Sequence, residues 1–94
     1  MPFGNNTVRP FTRADVESIN PGQNGVYGLF RTGTWVYIGR GDIRDRLLKH
    51  LNGDNPCITR EVPTSWMSEV TPNDIQREKE LIAEFDPVCN RRVG

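Results

Sequence analysis

Cysteine and histidine are scarce in this 94-residue chain: Cys57, Cys89 and the single His50. Two cysteines are too few for a disulfide framework, and their spacing fits no zinc pattern. They are expected to be reduced and to serve as small apolar side chains, a disulfide or metal site being the alternative. Net charge is absent too, with 12 Lys/Arg against 12 Asp/Glu. That balance excludes a nonspecific polycation but not a local basic surface. No apolar run approaches the roughly 18 residues that span a bilayer, so no membrane partner is expected. The N-terminal "MPFGNNTVRPF" lacks a basic segment followed by an apolar one, which makes the cytoplasm the expected location.

What the chain has is unevenly placed. Residues 1–60 carry eight Lys/Arg and five Asp/Glu, and residues 61–94 carry four and seven. The basic excess gathers at Arg31, Arg40, Arg44, Arg46 and Lys49. Both tyrosines, Tyr27 and Tyr37, stand just ahead of most of it, in "NGVYGLFRTGTWVYIGRGD".

The length suits one domain, residues 1–94. Residues 1–11 read as an irregular N-terminal arm. Thr12 and Asp15 form a capping pair for a short helix reaching about Ile19. "NPGQNG" is turn chemistry. "VYGLFR" (26–31) and "TWVYIG" (34–39) are β-branched and aromatic, and the short link with Gly33 suits a hairpin. "GRGD" breaks the second strand, and Asp42 caps a helix. In "IRDRLLKHL", Ile43, Leu47 and Leu51 recur every four residues, with Asp42, Arg46 and His50 on a neighbouring row. "CITREVPT" shows no clear pattern. "SWMSEV" (65–70) reads as a third strand. Thr71 as cap, Pro72 at the first position and Asp74 in the first turn start a last helix. That helix points Ile75, Ile82 and Phe85 at a core, with Leu81 at the margin. The order predicts an α/β (α+β) fold, a small three-stranded antiparallel sheet packed with helices.

Each notable residue has a plain structural reading. Strand tyrosines and tryptophans are usually core, helix-face Arg and His usually solvated. Taken together, "GVY" (25–27), "YIG" (37–39), the basic helix, "EKELI" (78–82) and "PVCN" (87–90) resemble the GIY-YIG nuclease superfamily over residues 24–90. The resemblance implies a metal-dependent endonuclease that hydrolyses phosphodiesters, by family habit in DNA rather than RNA. It implies a single Mg²⁺ or Mn²⁺ on Glu78, and catalytic positions at Tyr27, Tyr37, Arg46, His50, Glu78 and Asn90. Arg40 and Arg44 would bind substrate phosphate. The family's spacing from second tyrosine to helix arginine is slightly longer than here. Placing the deletion in "RGD" keeps Arg46, because His50 then falls four residues on; Arg44 is the fallback. An unperturbed phenol has a pKa near 10 and is almost wholly protonated at neutral pH. Tyr27 and His50 therefore both stand as candidates for the general base. A catalytically inactive nucleic-acid-binding module of the same fold is the alternative function. With no net charge, a homodimer or a protein partner would help select substrate. Repair and mobile-element roles are equally open.

Overall fold

The computed structural model describes residues 7–90. The elements are β1 (Arg9–Pro10), α1 (Arg13–Glu17), β2 (Asn24–Arg31), β3 (Thr34–Asp42), α2 (Ile43–Leu51), α3 (Pro56–Glu61), β4 (Ser65–Val70), α4 (Asp74–Phe85) and a 3₁₀ turn (Val88–Asn90). The sheet runs β1-β4-β2-β3 and is antiparallel throughout. The three expected strands are its body. The fourth is the two-residue β1, which pairs Arg9 with Trp66 and Pro10 with Ser65. It lies within the expected irregular arm; residues 1–6 of that arm lie outside the described residues. Among the described residues no helix is long and apolar enough to cross a membrane.

Alternation along the strands makes two apolar faces. Tyr27, Leu29, Val36 and Trp66 pack with Val16, Ile19, Ile43, Leu47 and Ile58 on one side, under α1 to α3. Val26, Ile38 and Met67 pack with Leu81 on the other, under α4. The hairpin departs from simple alternation at one place. Leu29 pairs with Tyr37 while Phe30 pairs with Trp35, so Val36 opposes no residue. This bulge puts Val36 and Tyr37 together on the α2 side, with Trp35 and Ile38 on the α4 side. Bulges re-aim side chains in this manner.

β3 does not break at "GRGD". It continues to Asp42, with Gly41 at φ +121°, a backbone conformation that suits glycine. Asp42 then caps α2 directly, accepting from the Asp45 N–H at 3.1 Å and from the Gly22 N–H at 2.9 Å. Because no loop separates β3 from α2, Arg46 and His50 are fixed relative to Tyr37.

Four other expectations are corrected. Residues 56–61 form α3, because Asn55 accepts from the Cys57 N–H and Pro56 occupies the first turn. α1 ends at Glu17, short of Ile19, although the Thr12–Asp15 cap is present. α4 begins at Asp74 rather than at Pro72, since the Thr71 hydroxyl holds the Asn73 N–H in a turn. In the resulting face Leu81 is 0% exposed and Ile75 is 55% exposed, with Ile82 and Phe85 half-buried. Finally, Cys57 and Cys89 are joined in a disulfide with Cα atoms 5.7 Å apart, linking α3 to the 3₁₀ turn. The tryptophans are structural. Trp66 is buried and donates Nε1–H to Asp15 at 3.0 Å. Trp35 stacks on Phe85 and tilts against Phe30.

Candidate active site

Tyr27 is at the centre of β2, wholly buried, with its ring on the α2 side. Its partner across the hairpin is Gly39. A Cβ on Gly39 would lie 2.6 Å from Tyr27 Cζ and 2.8 Å from Tyr37 Cε2. The glycine of "YIG" is thus the space both phenol rings need. The glycine of "GVY" has a different reason: a Cβ on Gly25 would lie 2.9 Å from Val70 Cα and closer still to the Glu69 carbonyl oxygen. It allows β2 and β4 to meet.

α2 brings His50 to Tyr27. The Tyr27 hydroxyl lies 2.7 Å from His50 Nε2, and His50 Nδ1 lies 2.8 Å from an Asp54 carboxylate oxygen. An ionised carboxylate only accepts, so Nδ1 carries the proton and Nε2 accepts from the phenol. Burial lowers the His50 pKa, with the Asp54 hydrogen bond opposing it. The imidazole is therefore neutral at pH 7. Burial likewise pushes the Tyr27 phenol far above its usual value; the neighbouring Tyr37 phenol adds to this, and the adjacent Arg46 guanidinium opposes it. Tyr37 is raised by burial first and by Glu78 second, with Arg46 opposing. Its ring centroid is 6.3 Å from that of Tyr27 and 5.2 Å from that of His50. The guanidinium of Arg46 is held charged by the Tyr27 hydroxyl. Arg46, rather than Arg44, reaches the tyrosines; Arg44 is half-buried on the same helix.

Glu78 comes from α4 on the other side of the sheet. Its carboxylate is 3.6 Å from Arg40 Nε, and Arg40 Nη1 is 3.4 Å from Asp74. Burial raises the Glu78 pKa, Arg40 opposes this and Asp74 adds to it. The influence of Glu78 on Tyr37 links the two halves of the site electrostatically. Asn90 hydrogen-bonds to backbone. Its amide donates to the Ile38 carbonyl at 2.8 Å and accepts from the Ile38 N–H at 2.7 Å. It continues the sheet by one residue and holds β3 between Tyr37 and Gly39.

Among the described residues no cluster of three or more His, Cys, Asp or Glu side chains is placed to hold a metal. Glu78, with Asp74 one turn away, offers hard oxygen donors. That fits a Mg²⁺ or Mn²⁺ ion, which commonly binds one or two carboxylates and completes its shell with water and substrate phosphate. His50 also borders a cavity of about 210 Å³ walled by Phe11, Leu51, Ile58, Thr59, Val62 and Pro63.

Asp54 is the member that sequence reasoning missed. It lies in the turn after α2, four residues after His50, the spacing at which side chains on a helix meet. Asp74, which shares Arg40 with Glu78, was read only as a first-turn acid. No family model, no curated protein and no solved structure matches this chain.

Proposed function

We propose that this protein is a metal-dependent endonuclease that hydrolyses phosphodiester bonds in DNA. One observation carries the reading: a hydrogen-bonded chain that runs inward from Asp54 at the surface through buried His50 to buried Tyr27, with a guanidinium beside its phenol end. A buried histidine bonded to a buried phenol is a costly way to fill the core of a small domain. Apolar side chains of similar shape would serve stability as well or better. The arrangement suits proton transfer beside an anion.

The neutral phenol is a poor base by itself, because its pKa is far above neutrality. A relay avoids the free phenolate. Water gives a proton to the Tyr27 oxygen as the phenol proton passes to His50 Nε2, and Asp54 stabilises the resulting imidazolium. Tyr27 is fully covered in the free protein. Binding a phosphate draws Arg46 off the hydroxyl and opens the approach for water. Arg46 and Arg40 are shaped for bidentate contact with phosphate oxygens. Tyr37, half-buried beside Tyr27 and His50, adds a second hydroxyl. A divalent ion held by Glu78 would supply Lewis-acid stabilisation of the phosphate and leaving oxygen. Asn90 positions β3. The cytoplasm, and a second copy or a protein partner to aid substrate selection, belong to the same proposal.

The test is cleavage of single-stranded, duplex and branched DNA and of RNA, with Mg²⁺, Mn²⁺ or EDTA. Metal-dependent cutting of DNA is expected, reduced at least about a hundredfold in Tyr27→Phe and in His50→Ala, and abolished in Glu78→Ala. Binding at low salt without cleavage under any metal would instead establish a nucleic-acid-binding module. No binding even at low salt, where phosphate contacts are strongest, would end both readings.

A further inference from the structure

The disulfide has no part in the proposed chemistry, yet it lies beside a residue that reaches the tyrosine strand. Cys89 is half-buried against the same apolar cluster that contains Tyr27 and Leu29. Its neighbour Asn90 holds both backbone groups of Ile38, the residue between Tyr37 and Gly39. Cys57 is in α3, on the α2 side of the sheet. The bond thus ties the end of the described chain to a helix 32 residues earlier. Within the turn, the Asn90 N–H donates to the Pro87 carbonyl at 3.1 Å, so Asn90 and Cys89 move as one short unit.

We infer that the Cys57–Cys89 disulfide is a reversible redox latch, which through Asn90 sets how firmly the "YIG" segment of β3 is held. Opening it uses ordinary thiol–disulfide exchange with a small dithiol. The dithiol's thiolate attacks one Sγ and forms a mixed disulfide, and the other cysteine leaves as a thiolate that takes up a proton. The second thiol of the reductant then displaces the remaining cysteine. Two electrons and two protons pass to the pair, and the reductant departs as its own disulfide. Arg60 Nη2 lies 3.6 Å from Cys57 Sγ, so Cys57 is the sulfur whose thiolate is better stabilised. Exchange accordingly proceeds by attack on Cys89, the sulfur next to Asn90. With the bond open, the 3₁₀ turn is retained only by its own packing, and Asn90 releases Ile38 more often. The two phenols flank that residue through Tyr37 and Gly39.

Backbone amide exchange reads this directly, because the Ile38 N–H is bonded to Asn90. The full chain is compared in oxidised form, after treatment with dithiothreitol, and as oxidised Asn90→Ala. Reduction should give Ile38 a local exchange route that is insensitive to low urea and about tenfold or more faster than in the oxidised form, while the amide of Leu29 in central β2 exchanges only through global unfolding and follows the urea-dependent stability. Oxidised Asn90→Ala should show the fast Ile38 rate already and gain little on reduction. Equal Ile38 rates in both redox forms would overturn the latch. So would Ile38 exchange that shows the same urea dependence as Leu29 in the reduced protein, which would mean only general loosening. Titration of two free thiols after equilibration with a glutathione buffer of oxidising poise would overturn it as well. None of these readouts requires the protein to cut nucleic acid, so the latch and the nuclease reading stand or fall separately.

Discussion

His50 is 4% exposed and keeps both ring nitrogens in hydrogen bonds, which gives it a thermodynamic signature. Its folded pKa is below the unfolded value of 6.5, chiefly through burial. The unfolded chain therefore binds more protons in the interval between the two values. The contribution is fully present above pH 6.5 and is lost as pH falls through the lower folded value. Urea midpoints measured from pH 7.5 down to pH 5 should fall over that window, and His50→Gln should remove this part of the slope. Tyr27→Phe acts on the same bond from the other side. It leaves Nε2 buried without a donor, at a cost of about 1–3 kcal/mol, to be read from denaturant unfolding at pH 7. Gly39→Ala places a methyl group against both phenol rings. It should cost about 1–3 kcal/mol as an overpacked site and displace Tyr27 and Tyr37, visible as a change in near-ultraviolet dichroism. Helical spacing alone put Arg46 and His50 on one row, and the family resemblance added Tyr27 and Tyr37 to them. Asp54 was hidden because a turn residue carries no periodicity to say which way it points.

The elements were legible in proportion to how regular they are. β4 and the start of α2 fall where alternation and a capping aspartate put them. α3 was not seen, since six residues are too few to display a helical period and its signal is the Asn55–Pro56 start alone. The bulge at Val36 was equally invisible: "TWVYIG" reads as plain alternation until the register across from Leu29 and Phe30 is known. The phase of α4 is the sharpest correction. The buried face of α4 centres on Leu81, and Ile75, in its first turn, points to solvent. Leu81→Ala should cost about 2–5 kcal/mol, whereas Ile75→Ala should stay within about 0.5 kcal/mol. Denaturant midpoints of the two variants, measured side by side, decide the phase. A reversed order would restore Ile75 to the core face and Leu81 to its margin.

At the scale of the whole chain, the disulfide is the one covalent link between distant segments, and a 94-residue domain has little stability to spare. The sequence pointed to reduced thiols because nothing in the spacing of Cys57 and Cys89 says that α3 and the 3₁₀ turn meet. Only the assembled sheet brings them together. Closing a loop across 32 residues of separation restricts the unfolded chain by about 3–4 kcal/mol on the chain-entropy account. Reduction should lower the urea midpoint by a corresponding amount without unfolding the protein at 25 °C. The two apolar clusters lie on opposite sides of the sheet, and among their helices the bond ties down α3 alone, which contributes Ile58. The double variant Cys57→Ser/Cys89→Ser should match reduced wild type and ignore dithiothreitol. The denaturant slope sharpens the test. A cross-link that acts on the unfolded state makes that state more compact, so the oxidised protein should show a smaller m value than the reduced one. Equal midpoints in the two redox forms would mean that the bond confers no net stability. A reduced chain with no transition at all would mean that the two apolar faces cannot hold this sheet without it.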